Sequence, residues 1–354
     1  GLLMSTILKE KVKGPVAWKG TDLAKDESWV YYLTEKTIAS LENALAHVKQ
    51  KGLKAPDFNK EDFPISDLLD EIDYFVEELE NGRGFLLVRG LPIERYTDEE
   101  ASIIYWGLGL HMGTPVSQNA NGDLLGHVRD QGLSLENSNV RGYQTKLHLP
   151  FHADGSDVVG LLSLRKGKSG GHSSIISSMT VYNEILEKNP EYLGVLCRPF
   201  NFDRRGEEAP GESPVFTSPI FSYYDGKLSC RYVRLFIESA QAKTGIQLSK
   251  VEIEALDLLD SLLHDEKLHY NMMLEQGDMQ FVNNYTILHS RTQYEDYEEL
   301  DRKRHLLRLW LTMPNGREIS PDFAMFIDEN TGKPGRGGVP PRKQTAGGIV
   351  ETLK

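Results

Sequence analysis

A mainly β, barrel-like core with helices packed on its outside is the fold class this 354-residue sequence predicts, and three observations carry it. From about residue 115 onward, Gly, Pro and Asn cut the chain into short extended segments. Residues from about 34 to 112 show helical periodicity instead. No internal repeat, low-complexity tract or long linker divides the two parts, so residues 4–354 read as a single domain.

The elements follow in order. In "PISDLLDEIDYFVEELENGRGFLLVRGLPI", Ile65, Leu68, Leu69, Ile72, Phe75, Val76 and Leu79 fall on one helical stripe, and Asn81-Gly82 supplies the stop. A strand over Phe85–Arg89 is expected next. Thr97 and Glu100 have capping-box spacing ahead of the apolar run "IIYWGLGL", and Ser249 with Glu252 repeats it; Thr180 also precedes a helical pattern. The segments "DVVGLLSLRK", "GHSSIIS", "KLSCRYVRLF", "DMQFVNN" and "RHLLRLWLTM" read as strands. Between them, about 190–270 reads as an insertion in which the polar "RPFNFDRRGEEAPGESPVF" forms a lid. The C-terminal "TGKPGRGGVPPRKQTAGG" is expected to be an irregular loop folded over the body.

Composition narrows the function classes. Forty basic against fifty-two acidic side chains give a net charge of -12, which opposes nucleic-acid binding. No apolar run approaches the roughly 20 residues that span a bilayer, and no signal-peptide pattern opens the chain, so a soluble, cytoplasmic protein is expected. Cys197 and Cys230 are too few for a disulfide framework and read as reduced, structural thiols.

Chemistry concentrates in "LHLPFHADGSD", residues 147–157. Pro150 forbids the helix that would put His148 and His152 on one face. In an extended chain His152 and Asp154 point the same way, with Ala153 opposite. A turn-forming aspartate beside a structural histidine is the alternative. Downstream, His289 follows a strand-like segment, and two histidines with one carboxylate make a facial triad for octahedral iron(II) with open positions. In the last strand Arg304, Leu306, Arg308 and Trp310 share a face. Inward guanidinium groups are costly without anions, so a dicarboxylate cosubstrate that chelates the metal at its other end would explain one of them. The alternative is that Arg304 continues the charged surface run Asp301-Arg302-Lys303.

The motifs "FHADGSD", "SGGHSSIISS", "NNYTILHSR" and "RHLLRLWL" together resemble the TauD/TfdA-type, clavaminate synthase-like family of iron(II)- and 2-oxoglutarate-dependent dioxygenases, over about residues 84–341. The resemblance implies a double-stranded β-helix, a distorted, cupin-like jelly roll with helices on its outer sheet. It implies His152, Asp154 and His289 as iron ligands and catalytic centre, and Arg304 as partner of the distal carboxylate of 2-oxoglutarate. Ser173 stands where relatives commonly carry Thr and would add a hydroxyl to the same carboxylate. The implied reaction consumes O2, converts 2-oxoglutarate to succinate and carbon dioxide, and oxidises an unactivated C–H bond of a small molecule. Hydroxylation is the default, desaturation or cyclisation stays open, and the presence of Asp154 disfavours halogenation.

For the primary substrate the sequence offers Arg308, Arg141, Tyr143, Gln118, Asn119 and Arg231, a basic and amide-rich set suited to a carboxylate-bearing molecule such as an amino acid or natural-product intermediate. A zinc hydrolase and a non-catalytic metal-binding barrel are the rival readings; the hydrolase would not need Arg304. No membrane partner is expected, and self-association stays open.

Overall fold

Alternation along the strands sorts side chains into an outer, helix-facing layer and an inner layer around a cavity. In strand His305–Thr312, Leu307, Leu309 and Leu311 pack outward against helices, whereas Leu306, Arg308 and Trp310 face inward. The computed structural model describes residues 5–131, 146–345 and 348–352, with side chains as far as residue 341.

Two sheets enclose the cavity. The larger has seven strands, in the order Val30–Tyr32, Phe85–Arg89, Met279–Asn283, Val158–Arg165, His305–Thr312 and Thr114–Pro115, with Gly126–Val128 also paired to His305–Thr312. Only its first pair is parallel. The smaller runs Tyr270–Met272, Ser173–Ser177, Ile287–Arg291 and Leu149–His152, all antiparallel. Inner-face residues Phe85, Leu87, Val159, Val282 and Trp310 meet Ile175, Met272 and Ile287 of the smaller sheet in one apolar cluster. This is the distorted jelly roll expected from the sequence.

Helices Glu35–Gln50, Leu69–Asn81 and Asp98–Met112 cover the larger sheet. The last of these is apolar nearly all round because it lies between the sheet and the other two. Gly109 permits that approach: a Cβ there would lie 2.6 Å from Leu309 Cδ1. Each buried leucine on this face contributes about 2 kcal/mol by removal from water. Helices Ser178–Lys188 and Lys250–Leu263, with the antiparallel pairs Pro199–Asp203/Val215–Pro219 and Phe221–Tyr224/Lys227–Cys230, cover the outer face of the smaller sheet.

Thr97 and Ser249 both form complete capping boxes. Ser177, not Thr180, caps the helix that starts at Ser178; Thr180 is its third residue and donates its N–H to Ser177 Oγ. The segment "KLSCRYVRLF" is a strand only to Cys230, since a helix begins at Arg234. The tail does fold over the body: Gly338 N–H donates to Gly155 O at 2.6 Å and Val339 N–H to Ser117 O at 2.8 Å. Its end is not irregular, because Arg342–Thr345 and Gly348–Thr352 form an antiparallel hairpin. Cys197 and Cys230 are both free, and burial pushes their thiols up to about 12. Among the described residues no helix is long and apolar enough to cross a membrane.

Candidate active site

Pro150 keeps "LPFH" extended, and the strand Leu149–His152 ends on the first histidine. Strand Ile287–Arg291 pairs with it so that His289 lies directly opposite His152. Asp154 follows in the turn, and its carboxylate reaches both rings: Oδ1 is 3.4 Å from His152 Nε2 and Oδ2 is 3.3 Å from His289 Nε2. Ala153 points away into the outer apolar cluster, as alternation requires. One ligand atom from each of the three side chains lies within 4.8 Å of the others, the spacing a single metal ion needs.

Electrostatics prepare this trio for a cation. His152 Nδ1 sits 2.8 Å from Pro150 O, an acceptor only, so the proton belongs on Nδ1 and the Nε2 lone pair faces the centre. Burial pushes Asp154 upward, but His289 and His152 outweigh it and hold the carboxyl well below the usual range. Burial, then neighbouring His152, lowers His289. Burial lowers the His152 imidazole, but Asp154 and Pro150 O outweigh it and raise its pKa, so a cation at Nε2 would take the place of a proton; two imidazoles and one carboxylate suit ferrous iron. Asn284 holds the loop: its Oδ1 accepts from Asp154 N–H at 3.0 Å, and its Nδ2 donates to Ser156 O at 3.0 Å.

The trio opens into a cavity of about 240 Å³. Arg304, Leu306, Arg308 and Trp310 line one side of it, as alternation predicts. Arg304 is buried, its Nη1 has no hydrogen-bond partner, and its guanidinium lies 4.8 Å from the Tyr294 ring. It is therefore not part of the surface charge run. Ser173 lines the same cavity, with its Oγ donating to Gln280 Oε1 at 3.2 Å. Arg231 lines the cavity as well, together with Phe202, Phe216 and Phe236.

Two expected contacts fall elsewhere. Gln118 is buried away from the cavity wall, where its Nε2 donates to Arg308 O at 2.9 Å and its Oε1 accepts from Arg308 Nε at 2.8 Å. It orients the arginine instead of meeting a ligand. Asn119 closes its own turn, accepting from Asn121 N–H and donating to Asp123 Oδ2. Arg141 and Tyr143 lie outside the described residues. Conversely, Arg291 lines the cavity two residues past His289 on the same strand, a position that alternation from His289 would have flagged.

The profile of the taurine catabolism dioxygenase TauD, TfdA family matches residues 49–310. The chain belongs to this family. As a TauD/TfdA-family member it is a 2-oxoglutarate-dependent, non-haem iron dioxygenase that uses iron(II), 2-oxoglutarate and O2. It is 39% identical over 320 residues to FR-33289 synthase of Streptomyces rubellomurinus, covering 89% of this chain and 94% of that protein. The fold is similar to asparagine oxygenase in complex with Fe(II), 2S,3S-3-hydroxyasparagine and succinate, with a TM-score of 0.62 at 16% identity over 80% of this chain and 93% of the other. It is also similar to the non-haem iron oxygenase OrfP in complex with Fe and alpha-ketoglutaric acid, with a TM-score of 0.57 at 15% identity over 80% and 94% of the two chains. Family membership leaves the zinc-hydrolase and non-catalytic readings without support.

Proposed function

We propose that His152, Asp154 and His289 hold the iron, that Arg304 and Ser173 receive the distal carboxylate of 2-oxoglutarate, and that the substrate is a small polar acid oxidised at an unactivated C–H bond. The observation that carries this reading is the convergence of three ligating side chains and a buried guanidinium with a bare N–H on one cavity. Bound iron with 2-oxoglutarate and O2 supplies the oxidising power, and succinate and carbon dioxide leave. The protein's own part is to present three ligand atoms, to neutralise the cosubstrate's far carboxylate, and to hold the substrate's target carbon near the metal in an apolar chamber.

Arg304 suits its role because burial strips it of water and lowers its affinity for its own proton, a penalty that a bidentate carboxylate reverses. Arg308, oriented by Gln118, and Arg231 are the substrate contacts we assign. The cavity volume fits an amino acid or a natural-product intermediate of similar size, and likeness to FR-33289 synthase favours tailoring of a secondary metabolite. Hydroxylation is the outcome we assign. A cytoplasmic location accords with two buried, reduced thiols.

The test is anaerobic titration of the apoprotein with iron(II) and 2-oxoglutarate. The weak visible charge-transfer band of a chelated keto acid is expected. Bound iron without that band would overturn the cosubstrate assignment, and small carboxylates that shift the band would identify the substrate class.

A further inference from the structure

Arg231 presents a charge that nothing around it balances. Strand Lys227–Cys230 delivers it to the cavity, and its backbone N–H donates to Ile220 O at 2.8 Å. The next residue, Tyr232, accepts at 3.0 Å from the N–H of Ala153, which lies between His152 and Asp154. The arginine thus leaves the backbone one residue from the loop that carries two of the metal-ligating side chains. Its guanidinium is 4.4 Å from the Phe323 ring and 5.7 Å from the Phe216 ring, so aromatic faces fix its plane. Nη2 donates to Phe323 O at 2.9 Å, while Nε is buried with no partner.

Neighbouring charges sharpen the contrast. Arg204 stacks on Phe216 too, at 5.2 Å, but it has Glu212 at 3.7 Å. No ion pair reaches Arg231 among the described residues, and burial pushes its pKa down to about 10, opposed only by Tyr285 and Cys230. In the same cavity, Trp310 Nε1 is a second buried donor without an acceptor. Arg304 has a bare N–H as well, and 2-oxoglutarate accounts for it. 2-Oxoglutarate has one distal carboxylate, which Arg304 takes, so the cosubstrate leaves Arg231 without an anion.

We propose that Arg231, clamped between Phe216 and Phe323, is the anchor for an oxyanionic group of the primary substrate, in a subsite separate from the one at Arg304; this rests on the dioxygenase reading of the cavity given above. The site selects substrates with an acidic end that spans from the Phe216 wall toward the metal loop. A planar carboxylate and a tetrahedral phosphonate share the chemistry that a fixed guanidinium recognises.

The experiment uses the iron(II)-loaded protein under anaerobic conditions with saturating 2-oxoglutarate, so that Arg304 is already engaged. Propionate and methylphosphonate are titrated separately by calorimetry into the parent, Arg231→Met and Arg231→Lys. At least one probe is expected to bind the parent, at least tenfold more weakly to Arg231→Met, and with intermediate strength to Arg231→Lys, while the 2-oxoglutarate affinity stays within twofold. The stronger probe tells which acid geometry the site takes. If neither probe binds the parent, or if Arg231→Met binds as tightly, the proposal is wrong. Should Arg231→Met lose 2-oxoglutarate as well, its fold has failed and Arg231→Lys, which keeps charge and length, decides by the same criterion. A parent that never binds 2-oxoglutarate would overturn the Arg304 assignment and this one together, a pattern distinct from failure at Arg231 alone.

Discussion

Replacing Asn284 with alanine should weaken both the fold and the metal site, because one amide joins the loop of Asp154 to the turn that leads into His289. Its Oδ1 accepts from Asp154 N–H, and its Nδ2 donates to Ser156 O at 3.0 Å and Ser156 Oγ at 3.2 Å. The side chain is buried, so Asn284→Ala strands the Asp154 N–H and the Ser156 carbonyl where water does not easily reach them. Each stranded group costs about 1–3 kcal/mol. The Ser156 hydroxyl keeps Val158 O as acceptor, and the backbone N–H of residue 284 keeps Asp157 O. For two such groups the expected loss is about 2–6 kcal/mol, a large part of the roughly 5–15 kcal/mol that stabilises a typical domain. Urea unfolding of the apoprotein measures it. Iron(II) affinity by competitive titration should fall about tenfold, since Asp154 is no longer aimed at the two rings. Asn284→Asp keeps the acceptor but not the donor, so it should retain more iron affinity than stability. If Asn284→Ala changed stability by less than about 0.5 kcal/mol and iron affinity not at all, the clamp would not be what orients the ligand.

Other predictions test separate parts. Arg304→Met should leave iron(II) binding intact and weaken 2-oxoglutarate at least tenfold by anaerobic titration, and unchanged cosubstrate affinity would remove Arg304 as the anchor. Gly337 has a φ of +105° and a Cβ there would lie 2.5 Å from Gly155 O, so Gly337→Ala should detach the tail and lower the melting temperature by several degrees; an unchanged melting temperature would refute this. His305 packs its Nε2 2.8 Å from His127 Nδ1, and burial, then His127, depresses its pKa to about 4. The unfolded chain takes up this proton near pH 6.5 and the folded one does not. Stability should thus be full above pH 6.5 and decline toward pH 4, and His305→Gln should flatten that decline in urea midpoints; an identical slope would contradict the assignment.

Local rules made much of the fold legible. Period-2 alternation placed Leu306, Arg308 and Trp310 on the cavity side, because eight consecutive strand residues leave each side chain only two directions, and Arg304, just before the strand, lines the cavity too. Capping boxes at Thr97 and Ser249 located two helix starts from four residues each. What stayed hidden depends on distant partners. Gln118 reads as a loop amide until Arg308, far along the chain, takes both of its ends. "KLSCRYVRLF" has strand-forming residues throughout, yet its second half turns away once Tyr232 has paired with Ala153. In the candidate site the same division holds. The spacing of His152 and Asp154 is local, whereas Arg291, Asn284 and the aromatic clamp on Arg231 emerge only from the packing of separate strands.

With the proposed ligands, the direct pairing of His289 with His152 would also set when the protein can acquire its metal. During synthesis, the half of the pocket at residues 152–154 leaves the ribosome long before residue 289 exists. Until strand Ile287–Arg291 closes against Leu149–His152, two donors remain that hold ferrous iron weakly. A slip of one residue would turn His289 to the outer face, so misregistered chains are equally unable to load. In the proposed site, tight metal binding would therefore have to wait for this strand pair to close, which would keep oxygen-reactive iron off unfinished chains.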